Sequence, residues 1–452
     1  MHGTKFPQRK ALRVLCVLAA LRETFVFQSL LTPVIDQTQH QKTILPNGVR
    51  VVTERIPHVR SISLGLWIEV GTRDETPEEN GVSHFIEHMM FKGTPRRNSK
   101  EIAESLEAVG GHLNAFTGKE VTCYYAHLLD EHLPIAIDVL SDVLTDSIFD
   151  PEEMNKERGV IIEEINAVDD TPEDLIHELF FYDLYPDHAL GTSTLGTRET
   201  VSRFTREQLF SFTQKHYTRN RLVVSAAGNI EHEALLKLLA GRLDILPSNG
   251  PRKIIAPTSA RNLGTVKEDV GAQTHICLGT RALRFDDTRK FNFLVMNTLL
   301  GGGMSSRLFQ NIREKHGLAY SIYSFHDFMY DTGVFGTYIG TDPEREEQAV
   351  KLLKEELSHL RNERVAADEL ARTKSQLKGS LMLGLESTSS RMNRLANMEI
   401  YLGRYYSLED VVDGIERVNA ADMQTLAQEL FEEEQQTLTV IRPSPEEGSE
   451  EE

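Results

Sequence analysis

His84, Phe85, Ile86, Glu87 and His88 form an H-x-x-E-H string, and the apolar Met89 and Met90 that follow suggest a helix. On a helix, positions 84 and 88 project from one face with Glu87 beside them. Imidazole nitrogen is a preferred zinc ligand, and a carboxylate close to the ion without binding it can take a proton from water. These three side chains are the minimum equipment of a zinc hydrolase. A catalytic zinc usually has three protein ligands, so one more is required. A later helix, with Asp150 as cap and Pro151 at its first position, carries a stripe of Met154, Ile161, Ile165 and Val168. Glu157 and Glu164 lie on the face adjoining that stripe, and both can point the same way.

The elements that must position these residues come as a diverged internal repeat. Ile62, Leu64, Leu66, Ile68 and Val70 alternate with Ser61, Ser63, Gly65, Trp67 and Glu69, the pattern of a half-buried strand. The helix with the H-x-x-E-H string follows. Asn98 to Gly111 reads as another helix, capped by Asn98 with Glu101 three residues on and stopped by a Gly-Gly pair. Strands are expected over His112 to Thr117 and Val121 to Leu128, and a helix over Pro134 to Leu144. The order recurs later, with strands at His275 to Thr280, Leu318 to Phe325 and Gly333 to Ile339. The matching helices run over Lys290 to Leu300, Pro343 to Leu360 and Ala366 to Leu385. Leu222 to Ala226 and Leu438 to Ile441 read as the closing strands of the two halves. This mixture predicts an α+β fold of two homologous domains, each a mainly antiparallel sheet packed with helices. The expected organisation is a poorly ordered N-terminal extension over 1–42 and a catalytic domain over 43–246. A Pro-, Gly- and Ser-rich linker over 247–262 leads to a second domain over 263–442 and an acidic tail over 443–452. The Lys290 to Leu300 helix has no His pair, so only the first half binds metal through this motif.

Composition narrows the classes. The chain has 452 residues, 40% of them hydrophobic, enough for two to four ordinary cores. The 68 acidic against 49 basic residues leave a formal charge of −19, which argues against nucleic acid as main partner and is compatible with basic peptides. Cys16, Cys123 and Cys277 are too few and too far apart for a disulfide framework or a thiolate zinc site, as expected in a reducing compartment. Lys5, Arg9 and Lys10 precede an apolar run from Val14 to Leu21, but Arg22 and Glu23 follow at once and no small-x-small cleavage site appears. No stretch reaches the length of a membrane span. A cytoplasmic protein without a membrane span is expected, with export the alternative that the signal-like segment leaves open.

Two longer runs carry a family resemblance. Gly81-Val82-Ser83-His84-Phe85-Ile86-Glu87-His88-Met89-Met90-Phe91-Lys92-Gly93-Thr94, followed by Glu157-Arg158-Gly159-Val160-Ile161-Ile162-Glu163-Glu164, closely resembles the pitrilysin/insulinase family of zinc peptidases, whose signature is the inverted H-x-x-E-H motif. Within it, the chain is most similar to the catalytic subunits of mitochondrial processing peptidases and their bacterial two-domain relatives, from about Lys42 to Arg442. The resemblance implies a zinc metalloendopeptidase acting on unfolded or extended peptides inside a two-domain clamshell. It implies one Zn2+ per chain, held by His84, His88 and Glu164, with Glu87 as general base and Glu157 orienting a ligand from behind. Glu163 competes with Glu164, but one helical step of about 100° turns it away from the face of Glu157. Arg313-Glu314-Lys315-His316-Gly317-Leu318-Ala319-Tyr320 is similar to the family's R-x(6)-Y element, implying that Arg313 and Tyr320 reach across to the peptide carbonyl. Substrate is expected along a sheet edge at Asn114, Ala115 and Phe116, and a homodimer, or a heterodimer with a related chain, is implied. Gly301-Gly302-Gly303-Met304-Ser305-Ser306-Arg307 matches a glycine-rich segment of the family and lacks the Lys-Ser/Thr ending of a phosphate loop. The alternative is a non-catalytic scaffold or partner subunit of the same fold, although such chains lack the motif.

Overall fold

The computed structural model describes residues 39–250, 252–258, 264–269 and 271–444. The first half opens with β1 (Gln39–Ile44), β2 (Arg50–Arg55), β3 (Ser61–Ile68), α1 (Val82–Met90) and α2 (Ser99–Glu107). It continues through β4 (His112–Thr117), β5 (Thr122–Leu129), α3 (Leu133–Asp146), α4 (Pro151–Asp169) and α5 (Pro172–Leu184). It closes with α6 (Arg198–Arg203), α7 (Arg206–His216), β6 (Leu222–Gly228) and α8 (His232–Leu239). The second half comprises β7 (Val266–Asp269), β8 (Thr274–Arg281), α9 (Lys290–Gly301), β9 (Ala319–Phe328) and β10 (Gly333–Thr341). After these come α10 (Glu346–Asn362), α11 (Ala367–Gly384), α12 (Thr388–Leu402), α13 (Leu408–Arg417), α14 (Ala420–Leu430) and β11 (Thr437–Pro443).

Each half builds one mixed sheet, and the repeat is visible in the strand order. The first sheet runs β1-β2-β6-β3-β5-β4 and the second β7-β11-β8-β10-β9. In both, an early strand pairs parallel with the closing strand, β2 with β6 and β7 with β11, and every other pairing is antiparallel. Set side by side, β4 and β9 occupy the same edge. Among the described residues, only β1 has no counterpart. The fold is therefore α+β, with two like halves forming a clamshell.

Local chemistry explains the ends of the helices near the site. The Asn98 side chain accepts a hydrogen bond from the Glu101 amide at 2.9 Å, and the Asn98 amide donates to the Glu101 carboxylate at 2.9 Å, closing a capping box on α2. Asp150 accepts from the amides of Glu152 and Glu153 at 2.9 and 3.1 Å, while Pro151 starts α4 without a donor to satisfy.

Each half also lends a helix to the sheet of the other. From the second half, α12 lies on β2, β3 and β6, with Met392, Leu395, Ala396, Met398 and Ile400 buried against Val52, Trp67, Cys123, Val223 and Ala227. From the first half, α5 lies on β8 and β11, with Ile176, Phe180 and Leu184 buried against Cys277, Val334, Tyr338 and Ile441. Polar anchors fix both contacts. Ser225 donates to the Met392 carbonyl at 2.8 Å, and buried Asp183 on α5 accepts from Thr265 and Thr439 at 2.7 and 2.6 Å.

This exchange corrects one expectation. The alternation over residues 61–70 predicts a half-buried strand, yet β3 is buried on both faces from Ile62 to Ile68, because α12 covers the side that carries Ser63, Gly65 and Trp67. Ser63 is satisfied there by His127 and by Thr388 and Ser389, each at 2.9 Å. The N-terminal boundary also shifts. Residues 39–42, read as part of an extension, pair with β2 in β1. The signal-like run, Cys16 and the tail beyond Ser444 lie outside the described residues, while Cys123 and Cys277 are buried as free thiols. No helix among the described residues is long and apolar enough to cross a membrane.

Candidate metal centre

The H-x-x-E-H string lies on α1, whose apolar residues Phe85, Ile86, Met89 and Met90 are buried in the first core. That burial turns His84, Glu87 and His88 towards the opposite side. The helix starts at Gly81, which adopts φ +91°, and a Cβ there would stand 2.6 Å from the Gly196 Cα, so only glycine fits this entry.

His84 and His88 stand with ring centroids 4.6 Å apart. Glu164 on α4 faces them, with one carboxylate oxygen 3.6 Å from the Nε2 atom of each ring. One donor atom from each of the three residues lies within 4.8 Å of the others. Glu163 is exposed and outside this group. His88 Nδ1 is 3.0 Å from Glu157, whose other oxygen receives the Lys92 ammonium at 2.5 Å. A proton on Nδ1 directed at Glu157 leaves Nε2 with a lone pair. Burial, reinforced by His88, lowers the His84 imidazole to about 4, so it is uncharged at neutral pH. Two imidazoles and a carboxylate oxygen thus converge as electron-pair donors. Zinc binds imidazole and carboxylate at about 2.0–2.2 Å, which in a tetrahedral arrangement puts ligand atoms roughly 3.4 Å apart, close to the separations seen here. The donor set fits a zinc ion.

Glu87 lies beside this set and is hydrogen-bonded by the Thr117 hydroxyl at the end of β4. Burial pushes its carboxyl above the ordinary range, against the opposing pull of the Thr117 bond. A carboxylate held close to the ligands, short of binding with them, is placed to exchange protons.

The other expected residues fall in two places. Asn114, Ala115 and Phe116 lie on β4, which among the described residues pairs only with β5 and leaves its other edge open. Asn114 and Phe116 are exposed, and Phe116 packs edge-on against Trp67 at 5.4 Å. Arg313 and Tyr320 come together with each other. Arg313 donates to the Tyr320 carbonyl at 2.6 Å, and its guanidinium lies 4.7 Å from the Tyr320 ring centroid. Arg313 sits in a π-helical turn, Phe309–Lys315, a distortion that is rare and frequent at functional sites. The Tyr320 side chain is 79% exposed, and among the described residues neither of the pair bonds to the His84, His88 and Glu164 group. Sequence reasoning missed two contributors: Thr117 as the partner of Glu87, and Glu75, which bonds to the first turn of α1. Glu75 precedes its partners Gly81 and Ser83 by six and eight residues, beyond the spacing of any local capping motif.

Comparison with known proteins places this geometry in context. Residues 50–198 match the insulinase model of peptidase family M16, and residues 203–377 match the model described as the peptidase M16 inactive domain. An uncharacterized zinc protease of Streptomyces coelicolor is 41% identical over 415 residues, covering 89% of each chain. Another, YmxG of Bacillus subtilis, is 42% identical over 398 residues, covering 88% of this chain and 97% of the other. Among solved structures, a protease from Helicobacter pylori superposes with a TM-score of 0.83 at 22% identity over 90% of this chain and all of that one, a likeness of fold.

Proposed function

The chain belongs to the insulinase family of peptidases, family M16, and from that premise we propose that it is a zinc-dependent endopeptidase acting on extended or unfolded peptides. The observation that carries the reading is the convergence of both Nε2 atoms on one Glu164 oxygen, with Glu87 alongside. His84, His88 and Glu164 hold one zinc per chain, since α9, the helix in the corresponding place of the second half, has no His, Asp or Glu. Zinc held there supplies a Lewis acid that makes water nucleophilic near neutral pH and polarises the scissile carbonyl. Glu157 fixes the His88 tautomer, and the Lys92 ammonium, 2.5 Å from its other oxygen, holds Glu157 in place.

Glu87 accepts the proton of the attacking water and delivers it to the departing amine. Its burial suits both tasks, because a raised carboxyl is a stronger base than an exposed one. The substrate lies extended along the open edge of β4, where backbone pairing gives affinity with little sequence demand and the exposed Asn114 side chain, whose oxygen accepts from the Ala115 amide at 2.8 Å, can touch it. Arg313 and Tyr320 approach the peptide carbonyl from the second half, which the exposure of Tyr320 permits. The proposal includes processing-peptidase-like selectivity, assembly as a dimer with a like or related chain, and a cytoplasmic location.

The decisive test is Glu87→Gln in zinc-loaded protein. The variant is expected to hold one zinc by elemental analysis and to cleave a denatured protein at less than about a hundredth of the wild-type rate. Wild-type cleavage must also stop on chelation. Activity retained by Glu87→Gln with metal bound would remove the base, and activity indifferent to chelator would remove the metal.

A further inference from the structure

The 3-10 turn Thr72–Asp74 and the Glu75 that follows carry three charged side chains that look in three directions. Glu75 is buried, and its two oxygens accept from the Ser83 amide at 2.8 Å, the Gly81 amide at 2.9 Å and the Asn80 side-chain amide at 3.2 Å. The first turn of α1 has unsatisfied amides, and Gly81, lacking a side chain, cannot cap them. Glu75 serves as a remote cap at the positive end of the helix, where burial pushes its carboxyl up to about 7 against the opposing pull of the Ser83, Gly81 and Asn80 hydrogen bonds. Two residues earlier, Arg73 is buried with one guanidinium nitrogen 2.6 Å from Glu120 and the other 2.6 Å from both Asp331 and the Ile255 carbonyl. Asp331 lies between β9 and β10 in the second half, and Ile255 in the connecting segment. Asp74 accepts from Arg252 of that segment at 2.6 and 3.1 Å, and from Arg221 at 3.0 Å. The turn is also held to the β4–β5 connection, where the Arg73 amide donates to the Lys119 carbonyl at 2.8 Å. At Gly71 any Cβ would stand 2.3 Å from the Gly118 carbonyl oxygen, so the backbones meet too closely for another residue.

We propose that Glu75 is a positioning residue for the proposed reaction, and that the Arg73–Asp331 ion pair ties the turn carrying it to the second half of the molecule. The first turn of α1 carries His84, and one turn on come Glu87 and His88. A change in how the second half meets Arg73 is thereby felt at the residues that hold metal and move protons. The chemistry of the contact supports a carboxylate in particular. All three partners of Glu75 are N–H donors, so glutamine, which has the same shape, would turn its own NH2 against one of them. The ion pair has a similar asymmetry: with Asp331 neutralised, the buried Arg73 keeps Glu120, which also accepts from the Tyr330 amide at 3.0 Å, but loses its direct ionic contact with the second half.

The inference rests on the peptidase reading only for its kinetic arm, and the experiment keeps the two apart. Zinc-loaded full-length protein is compared with Asp331→Asn, Asp331→Glu, Glu75→Gln and the Asp331→Asn, Glu75→Gln double variant. Hydrogen exchange of the α1 amides is read first, together with chelator competition for zinc and the kcat and KM for a fluorogenic peptide. Asp331→Asn is expected to speed exchange of the first α1 turn about tenfold and to lower kcat by a similar factor with KM unchanged. Asp331→Glu should restore both. Glu75→Gln should give the same pattern more strongly, and the double variant should be no worse than Glu75→Gln alone, as expected of two links in one chain. Unaltered α1 exchange in Asp331→Asn, or losses that simply add in the double variant, would overturn the proposal. If the wild-type protein cleaves nothing, the peptidase reading fails, and exchange and zinc retention still decide this one. Should Glu75→Gln fail to fold, the Asp331→Asn and Asp331→Glu pair decides alone.

Discussion

Glu163 and Glu164 are chemically identical neighbours, and only the turn of α4 separates their surroundings. Glu164 meets both imidazoles, whereas Glu163 is exposed. Glu164→Gln is therefore expected to weaken zinc binding at least tenfold, about 1.4 kcal/mol, in a chelator competition that leaves Glu163→Gln at the wild-type value. Equal losses would mean that the ion sits elsewhere. Tyr320 poses the opposite problem, because its side chain is exposed and its role depends on substrate. Tyr320→Phe should keep zinc and fold while lowering kcat by about 10²-fold, the usual cost of one missing oxyanion donor. A wild-type rate from that variant would leave Tyr320 as a packing partner of Arg313 and no more.

At the scale of elements, helix ends were readable because caps act over three or four residues, as Asn98 with Glu101 and Asp150 with Glu153 do. Contacts between helices were not. Asp138 on α3 collects Arg96 at 2.9 Å, Arg242 at 2.7 Å and Arg97, drawing the α1–α2 connection and the segment after α8 onto one helix. Burial would raise its carboxyl, but the hydrogen bonds from Arg242, Arg96 and Arg97 outweigh burial and hold it well below the usual carboxylate range. The native state then binds fewer protons at this site than the unfolded chain. Its contribution to stability is complete above the ordinary aspartate value of about 3.9 and is lost as the pH falls below it. We expect Asp138→Asn to lower Tm by about 2–4 °C at pH 7 and to converge on the wild type in acid. A Tm difference that stays constant or grows on acidification would contradict this.

The molecule as a whole is held together by exchanged helices, and this bears on how it can be divided. A fragment ending within residues 252–258 keeps all three donors of the metal cluster but lacks α12, leaving Val52, Trp67, Cys123, Val223 and Ala227 uncovered. Such a fragment should be poorly soluble and inactive, and co-expression with the remainder should rescue it. The full-length protein offers a sharper measurement. Ala396→Asp on α12 places an unpaired carboxylate against the first sheet, at a cost of about 3 kcal/mol or more. Limited proteolysis is expected to open the first half, although the substitution lies in the second. Cleavage confined to the neighbourhood of residue 396 would show that the first sheet does not depend on α12.

Short-range spacing was enough to place two imidazoles and a carboxylate on one face of α1, to cap α2 and α4, and to see that the second half repeats the first without the His pair. Such readings succeed because a helix or strand maps sequence offset directly onto direction. The proposed choice of Glu164 over Glu163 rests on the helical pitch together with the family resemblance. The two-sided burial of β3 was hidden, because the covering residues of α12 stand more than 300 positions away and leave Ser63, Gly65 and Trp67 looking like a solvent face. Glu75 was hidden for a related reason: its bonds reach α1 through a loop, and a loop carries no fixed relation between offset and direction. The tie from Arg73 to Asp331 joins residues 258 positions apart and exists only once both sheets are folded and facing each other. Spacing along the chain thus specifies which groups can do chemistry, and tertiary packing specifies what holds those groups in place.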